Sequence, residues 1–329
     1  MKREFILTVF LFINTAVFSG LPLGEDHKKT ILWQELICRQ EYDSAATVSG
    51  SFSKPLLKRF YLTCTRYSKA LDFFDYGSFP EIIHTFDSLE EVFIDSRLPE
   101  ATSNFYAGTS ASSSAVLEAK LGNSLKAALK GRRAAAYFKD LRGIYPDSPD
   151  ALGNIASYEY WLAKMLSWLP FASDKTRESI RDIEYAITKT DYYHFAFRIS
   201  LLWIYYNEKK YEHALSISRE LLDEYPSNRT AEMAAADCLF RLERYGPAGE
   251  LYQDLLTEYS KMDIPGKFRE IQMLNKLGII AAAKKDITGF SAIRKRFMGM
   301  DEEFFEFHSA SRIREEFSGT TEWFARRKR

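Results

Sequence analysis

Tyr211-Glu-His-Ala214-Leu-Ser-Ile-Ser-Arg-Glu-Leu221-Leu222-Asp-Glu224-Tyr225 returns 34 residues later, without a gap, as Tyr245-Gly-Pro-Ala248-Gly-Glu-Leu-Tyr-Gln-Asp-Leu255-Leu256-Thr-Glu258-Tyr259. Six of the fifteen positions are identical, where background residue frequencies give about one. Tyr211, Ala214, Leu215, Ser218, Leu221, Leu222 and Tyr225 fall at steps of three and four, which is one face of an α-helix. Ala214 and Ala248 are small where this helix crosses a preceding one, so that two backbones can approach closely. Short polar turns come before, Asn207–Lys210 and Arg241–Arg244. Ahead of the turns the pattern predicts apolar helices over Ala196–Tyr206 and Ala231–Phe240. Pro226 stops the second helix of its pair, because proline cannot continue one.

Weaker copies flank these two. Ala134-Ala-Ala-Tyr-Phe138-Lys-Asp-Leu141-Arg-Gly-Ile-Tyr145-Pro146 repeats the second helix and its ending. Its first helix is predicted from Glu100 to Leu121, with Gly122 as stop and Ser124 as the next N-cap. Residues 149–194 read as an expanded copy. Ala151–Met165 is helical, Ser167-Trp168-Leu169-Pro170-Phe171 ends that helix, and Ser173 or Asp174 caps a helix reaching Ile187. Residues 271–304 keep Leu277-Gly278, Ile287, Ile293 and Phe297 but put Phe290 where the small residue belongs. Upstream, Leu62–Phe74 and Pro80–Phe93 form a pair around the small Ala70. Ile31–Ala46 reads as one leading helix. The count is five or six pairs.

The 34-residue helix–turn–helix with Tyr-x-x-Ala, an apolar pair and Tyr-Pro resembles the tetratricopeptide repeat. The order of a Asp150-Ala151-Leu152-Gly153-type helix, the Trp168–Phe171 segment and the Tyr-x-x-Ala pairs is similar to a recurring exported bacterial form of it, over most of residues 100–262. The resemblance implies an all-α, right-handed α-solenoid of antiparallel helix pairs with a concave binding surface, and names no ligand. It divides the chain into a signal peptide (1–19), N-terminal helices with a degenerate repeat (20–98), repeats at 99–148, 149–194, 195–228 and 229–262, and a degenerate repeat with a basic tail (263–329). It gives Tyr211, Ala214, Tyr245, Ala248, Pro146 and Pro226 structural roles. It points Tyr160, Ile199, Trp203, Tyr206, Met233, Asp237 and Phe240 into the groove.

The start of the chain carries its own signal. Lys2 and Arg3 precede an apolar run from Phe5 to Phe18, and Val17-Phe18-Ser19 suits a signal peptidase. The run is shorter than the roughly 20 residues that span a bilayer, and no later segment is long and apolar enough to do so. The protein is therefore expected outside the cytoplasm, in the periplasm or cell envelope of a bacterium. Lys+Arg and Asp+Glu are equal at 45 each, so the basic excess of a nucleic-acid binder is missing. Cys38, Cys64 and Cys238 are too few and odd in number for a disulfide framework. Cys38 and Cys64 either pair or stay free, and Cys238, beside Ala234–Ala236, reads as a small core residue.

Catalytic signatures are scarce. Pro265-Gly266-Lys267 lacks the upstream glycine of a phosphate loop. His27, His84, His194, His213 and His308 are too dispersed for a metal site by local spacing. Ser51-Phe-Ser-Lys54 has the Ser-x-x-Lys form but no Lys-Thr-Gly partner. The carboxylates Glu90-Glu91 and Asp301-Glu302-Glu303 read as solvated helix faces, and Arg326–Arg329 as a solvated basic tail that could instead meet anionic lipid. No catalytic residue, metal ligand or cofactor is assigned. The expected function is non-catalytic capture of a protein or peptide in the groove. Glycan binding is the alternative, marked by a flat row of exposed aromatic rings, whereas charged rims mark peptide. The mature chain is expected to begin near Gly20. N-terminal sequencing of protein recovered from the envelope fraction checks this, and an intact Met1 on soluble cytoplasmic protein refutes it.

Overall fold

The structure, a computed structural model, describes residues 26–166, 174–190, 193–262 and 268–298. The expected signal peptide, the Ser167–Phe171 helix end and the Arg326–Arg329 tail lie outside the described residues. Among the described residues there are fourteen α-helices and no strand. They are α1 (Asp26–Cys38), α2 (Tyr42–Gly50), α3 (Pro55–Phe73), α4 (Phe79–Ile94), α5 (Glu100–Lys120), α6 (Ser124–Ile144), α7 (Pro149–Leu166), α8 (Thr176–Lys189), α9 (His194–Asn207), α10 (Tyr211–Glu224), α11 (Arg229–Arg241), α12 (Tyr245–Lys261), α13 (Phe268–Ala283) and α14 (Ile287–Met298). The described residues fall into two compact units. One holds the chain up to Lys69 together with Phe79–Asn228, and the other holds Ala70–Ser78 together with the chain from Arg229 onward.

One turn recurs inside the helix pairs. Gln40, Phe74, Gly122, Lys209, Glu243 and Lys285 each adopt a positive φ, between 54° and 84°. Each donates its N–H to a carbonyl three residues back, and the following residue donates to one five residues back, as in Lys209 N to Tyr206 O (3.0 Å) and Lys210 N to Tyr205 O (2.9 Å). This arrangement satisfies the orphan carbonyls at a helix end and reverses the chain. Five of the six residues are not glycine, although a left-handed conformation costs an L-residue roughly 1–2 kcal/mol. The next residue is close to one geometry in four copies, with φ from −81° to −86° and ψ from 59° to 67° at Glu41, Asn123, Lys210 and Arg244.

The same turn corrects the reading of the leading helix. Residues 31–46 belong to two helices, α1 and α2, broken at Gln40 (φ 60°). No glycine or proline marks that break in the sequence. With it the helices form seven consecutive pairs rather than five or six. A second turn type closes Tyr145–Ser148 and Tyr225–Asn228 alike. Tyr145 and Tyr225 sit near φ −125°, ψ 83° and φ −128°, ψ 77°, the extended backbone that a following proline imposes. Their N–H groups reach Leu141 O and Leu221 O at 2.9 and 2.7 Å. Pro146 and Pro226 follow the ends of α6 and α10 at the same distance. Asp174 accepts the Thr176 N–H at 2.9 Å at the start of α8. Asn123, one residue before the expected Ser124, holds the N-cap position of α6 without a side-chain capping bond, its amide donating to Glu118 Oε2 at 2.7 Å.

The 34-residue repeat is exact in its ring contacts. Tyr206 meets Tyr211 at 5.3 Å and 66°, and Phe240 meets Tyr245 at 5.8 Å and 62°. Ala214 and Ala248 are both fully buried. In the first unit a chain of rings carries the packing inward. Trp33 of α1 touches Tyr61 of α3, Phe60 touches Phe93 of α4 and Tyr106 of α5, Phe105 touches Tyr193, and Tyr193 stacks on Phe197 of α9 at 4.9 Å. Gly153 of α7 lies so close to Phe197 that a Cβ there would sit 2.4 Å from the ring. The C-terminal carbonyls of α1 are closed by the turn after α10, where Asn228 Nδ2 donates to Cys38 O at 2.6 Å.

Ala214→Leu overpacks a helix crossing that has no free volume and is expected to cost about 1–3 kcal/mol. Glu212→Ala, one turn position away and exposed, is expected to cost within about 0.5 kcal/mol. Chemical denaturation of both variants checks the helix register, and Glu212 proving the costlier site refutes it.

Candidate functional site

The seven residues assigned to a groove lie on three first helices, α7, α9 and α11. α9 is itself rich in leucine, isoleucine and aromatic residues, and Phe195 through Ile204 are all buried, Arg198 included. Arg198 pairs with Glu224 of α10 at 2.6 Å and Glu220 at 3.5 Å. Ile199 is 1% exposed, Trp203 3% and Tyr206 6%. Trp203 and Tyr206 meet edge to face at 5.5 Å. Tyr160 of α7 is fully buried as well. Its hydroxyl donates to Glu208 Oε1 at 2.6 Å and accepts from Asn207 Nδ2 at 2.6 Å. Lys164, one turn further along α7, closes the cluster with a 2.8 Å ion pair to Glu208. Burial and the neighbouring Glu208 carboxylate hold the Tyr160 hydroxyl far above its ordinary pKa, so it acts here only as a neutral hydrogen-bonding group.

In the second unit the corresponding positions of α11 are more open. Met233 is buried, while Asp237 and Phe240 are half-buried. Asp237 Oδ1 accepts the Tyr252 hydroxyl at 2.6 Å and pairs with Lys276 Nζ at 3.2 Å. Lys276 also lies 4.6 Å above the Phe240 ring, a cation–π placement. Both units therefore carry one motif at the end of a first helix, in which an acid takes a tyrosine hydroxyl and a lysine from a neighbouring first helix. Five of the seven are packed, and the two partly exposed ones are Asp237 and Phe240.

A second constellation in this unit left no trace in the sequence. Asp72, at the end of α3 and almost wholly buried, is paired with Arg229 and accepts the Tyr259 hydroxyl at 2.8 Å. Arg269 donates to Asp72 O at 2.7 Å and Leu71 O at 3.3 Å, and its guanidinium lies 4.0 Å from the Phe74 ring centre. Two arginines thus satisfy the negative end of a helix and its carboxylate together. Removing one partner of such a buried pair costs about 3–5 kcal/mol. The partners are 157 to 198 residues apart, so no local spacing could reveal them. Tyr259 was visible only as the repeat's closing tyrosine.

Glu90, read as part of a solvated helix face, is instead buried and accepts from Arg133 Nη2 at 3.0 Å and the Tyr137 hydroxyl at 3.2 Å. Ser51 Oγ donates to Val48 O at 2.7 Å. Among the described residues no three of His, Cys, Asp and Glu form a metal-binding group. Cys38, Cys64 and Cys238 are free and buried, and burial raises the thiols of Cys38 and Cys64. Between α6, α7 and α8 lies a cleft of about 330 Å³ lined by Lys139, Arg142, Glu159, Lys175, Glu178 and Asp182 over Ile155 and Ala156. Its charges are largely mutual, with Lys175–Glu178 at 2.7 Å and Lys139–Glu159 at 3.7 Å. With this geometry in view, no family model matches the chain and no curated protein resembles it significantly.

Glu232 of α11 offers a pH test of the second unit. Burial, then the charges of Glu258 and Asp254, raise its carboxyl to about 7 against the lowering influence of Arg229. Between pH 4.5 and 7 the folded chain holds a proton that the unfolded chain has released, so this group lowers stability as pH rises through that window. Glu232→Gln is expected to stabilise the protein at pH 8, by about 1 kcal/mol after solvent screening, and to change little at pH 4. Thermal melts at the two pH values check it, and equal effects at both refute the assignment.

Proposed function

We propose that the chain is a tetratricopeptide-type, right-handed solenoid, exported to the periplasm or cell envelope of a bacterium, that holds a protein or peptide without chemical turnover. The fold part rests on the 34-residue match and on the recurrence of one intra-pair turn in six places. The export part rests on the Lys2-Arg3 start and the short apolar run after it.

The observation that carries the binding reading is the repeated acid–tyrosine–lysine cluster at the ends of the first helices. Lys164 and Lys276 are 27% and 24% exposed at their side chains, and Glu208 and Asp237 are 22% and 15%. They are fixed in place by tyrosines yet reachable from solvent, which is how a preorganised polar contact is built. A backbone or charged side chain of a peptide could replace water there with little ordering cost. The glycan alternative draws less support, since Tyr160, Trp203 and Tyr206 turn their rings into the interior rather than presenting a flat exposed row.

Lys164→Ala and Lys276→Ala are the clean probes. Each leaves its acid bonded to a tyrosine, so the fold should keep its melting temperature. The expected outcome is a loss of at least tenfold in affinity for the partner recovered and identified by affinity purification from the native host. Unchanged affinity in a fully folded double variant refutes this site.

A further inference from the structure

We propose that the outer face of α6 docks on an anionic lipid surface. The proposal rests on the exported reading above, in which the chain lies beside the lipid faces of the envelope. Its geometry starts at the corner between α5 and α6. Gly122, Asn123, Ser124, Leu125 and Lys126 are all exposed in succession. Leu125 is 74% exposed and Leu129 56%. Four residues apart, they share one face of the helix. Arg132, Ala136 and Lys139 continue that face at steps of three and four, and all three are exposed.

Charge complementarity selects the occupant. The whole chain is balanced, with 45 basic and 45 acidic residues. α6 is not balanced, since it holds Lys126, Lys130, Arg132, Arg133, Lys139 and Arg142 against the single acid Asp140. Lys130 is drawn inward to Asp87 and Ser114, and Arg133 leans on Glu90 at 3.0 Å. Lys126 and Arg132 make no salt bridge among the described residues, and they flank the two leucines. Two leucines at a protruding corner are too small an apolar patch to anchor a protein interface, which needs a broad desolvated centre. They suit shallow insertion among lipid headgroups, with cations alongside to meet lipid phosphates. Each basic residue near an anionic surface contributes roughly fivefold in partitioning, so the contact is weak, reversible and salt-sensitive.

The test places a reporter on the face itself. Ala136→Cys in the full chain is labelled with an environment-sensitive fluorophore, the three native thiols being buried. A second version carries the label at Glu212→Cys on the exposed side of α10. Vesicles are either an equal mixture of phosphatidylglycerol and phosphatidylcholine or phosphatidylcholine alone. A blue shift at position 136 only, with the anionic vesicles only, and lost in 0.5 M salt, is expected. Leu125→Ser with Leu129→Ser, and separately Lys126→Glu with Arg132→Glu, should each weaken the response about tenfold while helix content by circular dichroism stays unchanged. No shift at 136, an equal shift at 212, or unaltered binding by both double variants overturns the proposal. So does a shift with soluble polyglutamate but not with vesicles, which would assign the face to an acidic protein. Vesicle binding does not depend on partner capture, so failure here and failure of the lysine-cluster site are separately visible.

Discussion

Among the described residues, the reversals inside six helix pairs each pass through one residue in the left-handed conformation. That single constraint sets how the helices meet. It closes the carbonyls at the end of the first helix, fixes the direction of the second, and brings small residues such as Ala214 and Ala248 to the crossing. Five of these residues are Gln, Phe, Lys, Glu and Lys, each adopting a conformation it does not favour. The hydrogen bonds and the apolar contacts on either side must outweigh that local cost. The turn geometry is therefore imposed by the packing of the pair, and the pair is the unit of the fold.

This explains which parts were legible in the sequence. The second helices α10 and α12 announce themselves, because tyrosine, alanine and the Leu-Leu pair recur at identical positions and proline follows one of them. The α5–α6 corner was legible because Gly122 is there. The break between α1 and α2 was not, because Gln40 performs the same turn without any compositional mark. Positions within α9, and separately within α11, could be placed on one face of each helix from spacing alone. What meets those positions comes from far along the chain, as where the Tyr160 hydroxyl of α7 meets Asn207 and Glu208 at the end of α9. Helical spacing reports the face and is silent about its neighbour.

α5 shows the physical reason most directly. Its sequence, rich in Ser, Thr, Ala and Gly, has the look of a loosely amphipathic helix, yet it is buried on nearly every side. Small side chains let neighbours press against its backbone, as where the Phe138 ring lies 3.1 Å from the Cβ position of Gly108. Some of its hydroxyls are accommodated locally or by charge, while those of Ser110 and Ser113 are buried without a hydrogen-bond partner among the described residues. Thr109 donates to Phe105 O, and Ser114 donates to Asp87. A helix of this composition can be buried on nearly every side because its small side chains ask little space.

The second unit is assembled from two stretches of chain, and that has a consequence in time. Ala70–Ser78 leaves the ribosome long before its partners do, because Arg229 lies 157 residues behind Asp72. At 5–20 residues per second the wait is on the order of 10 s. During it, Asp72 has no counter-ion and the rings of Phe74 and Tyr76 have no Phe268 to cover them. A chain that must hold a sticky, charged segment open for that long is a natural client for a chaperone, and its vulnerable moment falls midway through synthesis rather than at the end.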